Sequence, residues 1–373
     1  MTRHPARAIS FPDLMAGLDA AVTAGMVYRR ADPATGLELY IYSNKCVYED
    51  GWDIFALMAR GLILDRAKGR VLATPFPKFF NVGEKRGVVP DLPFEAYEKL
   101  DGSLIIVFFH DGRWKAATKG AFNSEQARWA QIRLDQSDLS PLVPGATYLF
   151  EAVYPENRIV VHYDEPALVM LAAYAEDGLE LSYADVLATC NALGWRAARR
   201  YAFQSIPEMV KTAEALPAND EGFVIRFSDG LRLKLKGAEY RRIHALISRC
   251  TPLAMWEAMS AGDDVDALRR DLPEEFWGDF DAIIGLLRAQ IAKRERAVTE
   301  VAATLAHLSD KEVGLSLKTL PTDVQPLIFG YRKAGCIEGR QRAALMRAIR
   351  PTGNLLEGYT PSYAMHRAID EAA

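Results

Sequence analysis

The sequence has few features typical of zinc-binding, secreted or membrane proteins. Its cysteines are far apart and form no Cys-x-x-Cys pair, which argues against a zinc site and a disulfide framework and fits a reducing compartment. They are Cys46, Cys190, Cys250 and Cys336. No apolar run approaches the ~20 residues of a membrane-spanning helix, and Asp13 and Asp19 interrupt what would have to be a secretory signal. We therefore expect a soluble, cytoplasmic protein that does not bind membranes.

The chain also lacks the common phosphate-binding loops and a positive net charge. The dipeptide Gly-Lys does not occur, so there is no Walker-type loop, and no strand leads into Gly-x-Gly-x-x-Gly. The formal net charge is -4 at pH 7, so any binding of nucleic acid has to come from local basic patches. Two such patches lie at residues 226–249 and 288–296. A solvated helix face is the alternative explanation for the second patch.

Length and hydrophobic patterning predict two domains. At 373 residues the chain exceeds the size at which single cores stop growing. Short β-type runs broken by turn residues extend to Lys236, and amphipathic helical patterns follow. Asp111-Gly112 and Asp229-Gly230 predict antiparallel hairpins. The predicted class is α+β, with an antiparallel-sheet domain over residues 1–245 and an all-helical domain over residues 246–373.

Four elements have specific sequence signals. Residues 158–163 read as a strand, and the capping-box pattern Ser205-x-x-Glu208 predicts the start of a helix. An apolar stripe from Ile284 to Leu308 predicts a long amphipathic helix. A further helix is predicted over residues 321–333.

The stretch Lys99-Leu-Asp101-Gly102, followed by an apolar run over residues 104–109, is the most informative in the chain. A lysine, a spacer, an aspartate and a glycine against a buried strand can present an amine nucleophile to a nucleotide phosphate. The pattern arises by chance in about one chain in ten of this length, and a strand-entry turn with a solvated lysine is the alternative. A lysine attacks only as the neutral amine, which nearby positive charges favour.

Lys234-Leu-Lys236 is suited to supply those charges, because two residues apart on a strand both lysines point to one face. An amphipathic edge strand is the alternative. Departure of pyrophosphate also calls for a divalent cation, and a cation calls for carboxylates. Glu151 and Glu221 are candidates on otherwise apolar strands, where an unpaired charge is costly. Pairing with an arginine is the alternative for each.

Taken in order, these motifs resemble those of the covalent nucleotidyltransferases, and most closely those of the RNA ligase 1 family of phage-type ATP-dependent RNA ligases. The family order is a nucleophilic Lys-x-Asp-Gly, a strand glutamate, Glu-Gly and Lys-x-Lys. Further strings that resemble this family are Ala59-Arg-Gly-Leu-Ile63, Pro77-Lys-Phe-Phe-Asn81, Thr118 to Ala127, and Phe150-Glu151 with Asn157-Arg-Ile-Val160. The resemblance is strong from about 58 to 245 and weaker beyond.

The resemblance implies a role for each motif residue. Lys99 would be the nucleophile and Tyr240 a residue needed for ligation. The nucleotide contacts would be Arg60, Lys78, Glu98, Lys119, Glu151, Lys234 and Lys236. The metal ligands would be Glu221, Glu151, Asp263 and Asp264. Asp101 would orient the lysine loop, and Gly102 would let the backbone approach the nucleotide; the family's adenosine-contacting tyrosine is not clearly placed in Tyr42-Ser43-Asn44.

The resemblance implies an ATP-dependent RNA ligase that acts in three steps. Lys99 attacks the α-phosphate of ATP to give a lysyl-adenylate and pyrophosphate, the adenylate passes to an RNA 5'-phosphate, and a 3'-hydroxyl then displaces AMP. The cofactors would be ATP and Mg²⁺ or Mn²⁺. The partners would be RNA ends, such as those of broken transfer RNA, and a polynucleotide kinase/phosphatase. The protein would act as a monomer.

Two other functions fit part of the pattern. A capping-type guanylyltransferase shares the motif order, but it would use GTP and carry a β-barrel where this sequence predicts helices. A non-catalytic RNA-end binding protein would keep a basic cleft without needing a lysine at position 99. The nucleophile and both carboxylates, taken together, favour the ligase.

Overall fold

The computed structural model describes residues 3–158, 160–272, 276–352 and 355–361. The contacts within the chain divide it into two compact units, Met1–Arg242 and Ile243–Ala372. The α+β class, with antiparallel sheets followed by helices, is confirmed. The domain roles and the boundary after residue 245 stay predictions, and helix Ala238–Arg249 runs through both boundary positions.

The first unit contains three sheets. The strands are β1 (Val27–Ala31), β2 (Glu38–Tyr42), β3 (Arg60–Asp65), β4 (Arg70–Ala73), β5 (Phe80–Asn81), β6 (Phe94–Glu98), β7 (Ser103–His110), β8 (Arg113–Thr118), β9 (Thr147–Val153), β10 (Ala167–Tyr174), β11 (Arg200–Tyr201), β12 (Gly222–Phe227) and β13 (Arg232–Lys236). The first sheet has the order β1-β2-β3-β4, the second β10-β9-β7-β8 and the third β11-β6-β12-β13-β5. Neighbouring strands are antiparallel except β13 and β5, which are parallel. Both predicted hairpins, β7–β8 and β12–β13, form.

Helices cover the outer faces of the sheets. The helices are α1 (Pro5–Ala8), α2 (Phe11–Thr23), α3 (Asn44–Tyr48), α4 (Ile54–Met58), α5 (Glu125–Asp135), α6 (Tyr183–Leu193), α7 (Ile206–Glu214) and α8 (Ala238–Arg249). The first and second sheets pack face to face through Leu39, Ile63, Ile106 and Leu149, all fully buried. Burial of this apolar surface is the main stabilising contribution to the sheet sandwich.

The turn that carries Lys99 joins two sheets. Strand β6 belongs to the third sheet and β7 to the second, and residues 99–102 connect them. Leu100 packs in a small buried cluster with Val153, Val169 and Ala198, so this connection is anchored on the second sheet. Residues on β9, β12 and β13 can therefore surround the lysine although they are far away in sequence.

The second unit is helical in its described residues. Its helices after α8 are α9 (Pro252–Ala261), α10 (Val265–Asp271), α11 (Trp277–Thr304), α12 (Asp310–Ser316), α13 (Ile328–Ala334) and α14 (Gly339–Ala348). Their shared core is formed by residues such as Ile291, Val298, Leu327 and Leu345. In the part of the chain that the structure describes, no helix, α11 included, has the length and apolar character to cross a membrane.

Two local predictions were wrong, and a third is correct except for the end of the helix. Residues 160–163 form no strand, and Ile159 lies outside the described residues; the N–H groups of Val160 and Val161 donate to the Asp101 carboxylate instead of to a strand. The helix predicted over 321–333 begins only at Ile328, because Pro326 lacks an N–H and restricts the residue before it. The predicted long amphipathic helix forms as α11, but it ends at Thr304, before the end of the apolar stripe.

The capping box predicted at Ser205 forms only in part. The Ser205 hydroxyl accepts a hydrogen bond from the Glu208 N–H at 3.3 Å. The Glu208 carboxylate, however, accepts from the N–H of Gln204 at 2.7 Å rather than from that of Ser205. Helix α7 begins where the pattern predicts.

Candidate active site

Lys99 lies immediately after β6, and its side chain is 19% exposed. Its N–H donates to the carbonyl of Gly222 at 2.9 Å, which extends the pairing of β6 with β12 by one residue. Its ammonium lies 2.6 Å from Oε1 of the buried Glu221, and the Lys236 ammonium lies 3.3 Å from the same oxygen. The structure thus brings Lys99 together with two residues that lie more than a hundred positions away from it in the sequence.

Lys234 is the centre of a group of positive charges. Burial lowers its pKa from 10.5 to about 7, and the charges of Lys99, Lys78, Lys236 and Arg60 act in the same direction. These four neighbouring charges are all positive, so this part of the site suits an anion with several negative charges, such as a polyphosphate.

Tyr42, at the end of β2, lies against the same cations. Burial acts to raise the pKa of its hydroxyl, but the charges of Lys78, Lys119 and Arg60, with a hydrogen bond from Lys78, outweigh burial and lower the pKa overall. The sequence did not assign a role to this tyrosine. The structure places its hydroxyl beside the predicted phosphate contacts.

Lys119 and Arg60 reach the site from two different sheets, Arg60 at the start of β3 and Lys119 just after β8. The Arg60 guanidinium, at the start of β3, lies 5.3 Å from the centre of the Phe79 ring. Gly61 has a φ of +98°, and a Cβ there would lie 2.9 Å from the Lys119 Cα. The absence of a side chain at Gly61 therefore lets the backbone of the exposed Lys119 approach β3 closely.

Asp101 anchors the turn that carries the lysine. Its buried carboxylate accepts hydrogen bonds from the N–H groups of Val160 and Val161 at 2.8 and 2.9 Å and from the Tyr240 hydroxyl at 3.0 Å. Its own N–H donates to the hydroxyl of Tyr163 at 2.7 Å. Tyr240 is fully buried, so in this conformation it supports the turn through Asp101; its role in ligation stays a prediction.

Gly102 lets the same turn lie against β9. A Cβ at this position would lie 2.5 Å from the Ala152 carbonyl oxygen and 2.9 Å from the Cγ of Glu151. The Asn157 amide donates to the Ala152 carbonyl at 2.7 Å and accepts from the Ser103 hydroxyl at 3.1 Å. Close approach of the turn to a strand is thus a sufficient reason for the glycine, in addition to the close approach to a nucleotide that the resemblance implied.

A small pocket opens beside Lys99. Its lining includes Glu98, Tyr163, Tyr201, Asn219 and Phe223. The rings of Tyr201 and Phe223 lie 5.2 Å apart edge to face, and Glu98 accepts a hydrogen bond from the Arg199 N–H at 3.0 Å. Aromatic rings beside carboxylate and amide groups offer the stacking and hydrogen-bonding contacts that a nucleotide base uses. Sequence reasoning missed Tyr163, Tyr201 and Asn219, because only the fold brings them to this place.

Glu221 fits a divalent cation only in combination with a nucleotide. Its Oε2 is buried and has no hydrogen-bond partner among the described residues. The described residues contain no cluster of three or more His, Cys, Asp or Glu that could hold a metal ion. Magnesium is often bound by one or two carboxylates together with substrate phosphates and waters. Burial raises the pKa of Tyr163, and the charges of both Glu151 and Glu221 add to the effect, so both predicted ligands lie near one tyrosine.

Asp263 and Asp264, the other predicted metal ligands, lie in the exposed turn between α9 and α10. The Asp264 carboxylate accepts hydrogen bonds from the N–H groups of Asp266 and Ala267, both at 3.0 Å, and so caps α10. The Arg270 guanidinium lies 3.8 Å from it. These contacts explain Asp264 structurally, and metal binding at this pair stays a prediction.

Comparison with known families identifies the segment that contains this site. The sequence model described as RNA ligase matches residues 58–240. This range includes the lysine turn, both glutamates and the Lys-x-Lys strand. The matched segment belongs to the RNA ligase 1 family.

Two of the named proteins that are similar to this chain come from viruses. The chain is 29% identical over 242 residues to an Autographa californica nuclear polyhedrosis virus protein with the provisional name of bifunctional polynucleotide kinase/RNA ligase, covering 56% of this chain and 34% of the relative. It is 26% identical over 186 residues to the RNA ligase of Rhodothermus phage RM378, covering 38% of this chain and 42% of the relative. The chain therefore spans less than half the length of either relative.

A solved structure shares the fold. An archaeal ATP-dependent RNA ligase superposes with a TM-score of 0.50 and 16% identity, over 75% of this chain and 83% of that one. At this identity the likeness concerns the fold alone. The motifs of the matched segment, and not this superposition, identify the residues of the site.

Proposed function

We propose that the protein is an ATP-dependent RNA ligase that joins 5'-phosphate and 3'-hydroxyl RNA ends through a lysyl-adenylate on Lys99. The observation that carries the proposal is the environment of Lys99. Its amine lies 2.6 Å from Glu221 and acts on Lys234 within a partly buried group of cations. A lysine held in this way, in a segment of the RNA ligase 1 family, is suited to react with a nucleotide phosphate.

In the first step the Lys99 nitrogen bonds to the α-phosphorus of ATP while the bond to the pyrophosphate oxygen breaks. An ammonium has no lone pair, so Lys99 must first leave Glu221 and lose a proton to solvent. The nitrogen loses a second proton to solvent as the bond to phosphorus forms. Lys234 and Lys236 are placed to neutralise charge on the phosphates in the transition state. Glu221, freed from Lys99, would hold a divalent cation, which when bound neutralises the departing pyrophosphate.

The two later steps use the same residues. An oxygen of the RNA 5'-phosphate displaces Lys99 from the adenylate, and the amine takes up a proton again. The RNA 3'-hydroxyl then attacks the 5'-phosphorus, its proton is lost, and AMP departs from the new phosphodiester. Lys78, Lys119 and Arg60 extend the cationic surface around Tyr42, which suits the pyrophosphate or the RNA phosphates.

We assign adenylation to residues 1–245 and selection of the RNA to residues 246–373. The substrate we propose is a broken structured RNA, such as transfer RNA, whose ends a polynucleotide kinase/phosphatase has prepared. The provisional name of the viral relative, which combines a kinase with an RNA ligase, supports that pairing. Helices instead of a barrel after β13 favour a ligase over a capping enzyme.

Incubation with radiolabelled ATP and Mg²⁺, followed by a denaturing gel, tests the proposal. A labelled band is expected for the wild-type protein, and none for Lys99→Ala, because alanine provides no nucleophile. Lys211→Ala is the control and should keep the label, since it removes an exposed lysine of α7 that is not among the predicted site residues. A band in Lys99→Ala would show that another residue is the nucleophile, and label from GTP but not ATP would indicate a capping-type enzyme.

A further inference from the structure

Three aromatic rings surround the ammonium group of Lys78. The distances from its Nζ to the ring centres are 5.2 Å for Tyr42, 5.4 Å for Trp52 and 5.7 Å for Phe80. The Trp52 ring also meets Tyr42 at 4.9 Å and Phe80 at 5.5 Å, edge to face in both cases. We call these three rings the aromatic wall, and Trp52 is its central member.

The aromatic wall stabilises a cation without neutralising it. Lys99 and Lys236 are paired with the Glu221 carboxylate, so an anion that binds them has to compete with that ion pair. The Lys78 ammonium instead lies over the electron-rich faces of the rings. Among the three side chains, tryptophan binds a cation most strongly. A phosphate can therefore bind Lys78 while the ammonium keeps its contact with the rings.

A pair of ionic contacts holds the loop that carries Trp52. Asp50, two residues before it, has a φ of 51°, and its carboxylate lies 2.6 Å from both Lys85 Nζ and Arg86 Nε. Arg86 also donates to the Asp50 carbonyl at 3.2 Å. Because Lys85 and Arg86 belong to the turn that follows β5, these contacts, the Asp50 clamp, tie the Trp52 loop to the strand that carries Phe80.

We propose that Trp52 is a positioning residue that, held by the Asp50 clamp, directs the Lys78 ammonium toward the phosphate groups of the bound nucleotide. The nucleotide part of this inference rests on the proposed ligase function, whereas the placement of Lys78 by Trp52 does not. Trp52 lies outside the segment matched by the family model, and no sequence motif points to it.

The placement can be measured without any enzyme activity. In the full chain, lysines are converted to ¹³C-dimethyl-lysine, which keeps the charge, and the Lys78 signal is assigned with Lys78→Arg. Ring currents from three rings are expected to shift the Lys78 methyl signal upfield. Trp52→Leu, which keeps apolar volume but removes the indole, is expected to move the signal toward that of a solvated lysine, and Trp52→Phe to retain most of the shift. An unchanged signal in Trp52→Leu would overturn the inference.

The consequence for the nucleotide is measured as the KM for ATP in formation of the labelled protein. We expect Trp52→Leu to raise KM about tenfold with kcat changed less, and Trp52→Phe to restore most of the loss. Trp277→Leu is the matched control, because Trp277 also contacts a cation, Arg269 at 4.1 Å, but belongs to the helical unit. Its KM should equal that of the wild type.

A second variant distinguishes loss of positioning from a folding defect. Asp50→Asn keeps the tryptophan but breaks the ionic contacts, and we expect it to raise KM in the same direction as Trp52→Leu, with an unchanged circular dichroism spectrum. A wild-type KM in both Asp50→Asn and Trp52→Leu would refute the role in nucleotide binding. If the wild-type protein forms no labelled band, the proposed ligase function fails, while the methyl signal still decides the placement of Lys78.

Discussion

At the scale of single residues, Lys234 is a partly buried amine with cations as its neighbours. Burial and the charges of Lys99, Lys78, Lys236 and Arg60 lower its pKa from 10.5 to about 7. Between these two pH values the unfolded chain binds more protons than the folded one at this residue. The contribution of Lys234 to the free energy of unfolding therefore rises with pH over that interval. Below about pH 7 the protein bears the full cost of holding the charged ammonium in this site.

This pKa predicts proton uptake when a nucleotide binds. The negative charges of ATP favour the ammonium form of Lys234, so at about pH 8 binding should take up close to one proton at this residue. Calorimetric titration in two buffers of different ionisation enthalpy measures the number. Lys234→Arg should take up nearly one proton less, because the guanidinium stays charged throughout.

Lys119→Arg is the control for that measurement. Because Lys119 is exposed, this substitution should leave the number of protons taken up unchanged. Equal uptake by wild-type protein and Lys234→Arg would mean that another group takes up the proton.

At the scale of elements, the connection between β6 and β7 decides the position of the nucleophile. Asp101 holds it through three hydrogen bonds to the residues around it, and Gly102 lets it lie on β9. A misplacement of about 1 Å in a reacting group can cost roughly a hundredfold in rate. The packing of this short turn therefore bears directly on the chemistry.

Gly102→Ala is expected to slow formation of the labelled protein by about a hundredfold or more, because the new Cβ would lie 2.5 Å from the Ala152 carbonyl oxygen. Overpacking of this kind also costs about 1–3 kcal/mol of stability, so a thermal melt accompanies the rate measurement. Gly285→Ala is the matched control, because its position in α11 has open space. It should keep the wild-type rate and gain up to about 1 kcal/mol of helix stability. A wild-type rate in Gly102→Ala would show that the turn tolerates displacement.

At the scale of the whole molecule, every residue of the lysine site belongs to the first unit, Met1–Arg242. The second unit has its own apolar core. We therefore expect a fragment of residues 1–249, which ends with α8, to form the labelled adenylate at a rate close to that of the full chain. Joining of a nicked RNA stem-loop should fall, since residues beyond 249 are the proposed RNA-selecting part.

The gel assay and a ligation assay on the same fragment separate the two expectations. Lys99→Ala in the fragment is the control for label. A folded fragment that forms no adenylate would show that the second unit takes part in the first step, and full joining activity would refute the assignment of RNA selection to it.

The sequence was sufficient to identify those site residues that belong to one short motif. Lys99, Asp101 and Gly102 stand in one turn, and Lys234 and Lys236 share a strand face, because side chains two apart on a strand point the same way. The strand predicted at residues 158–163 was wrong for a reason that no local pattern contains. The N–H groups there bond to Asp101, which is about sixty positions away.

The sequence by itself determined the α+β class, the antiparallel hairpins and the order of the family motifs, because hydrophobic period, turn residues and reactive groups are local properties. Only the tertiary structure decided that Glu221 pairs with Lys99, that cations surround Lys234, and that Trp52 lies beside Lys78. These contacts join strands and loops whose pairing depends on how the sheets bury their apolar faces together. That burial is a property of the whole unit, so no single stretch of the chain encodes it.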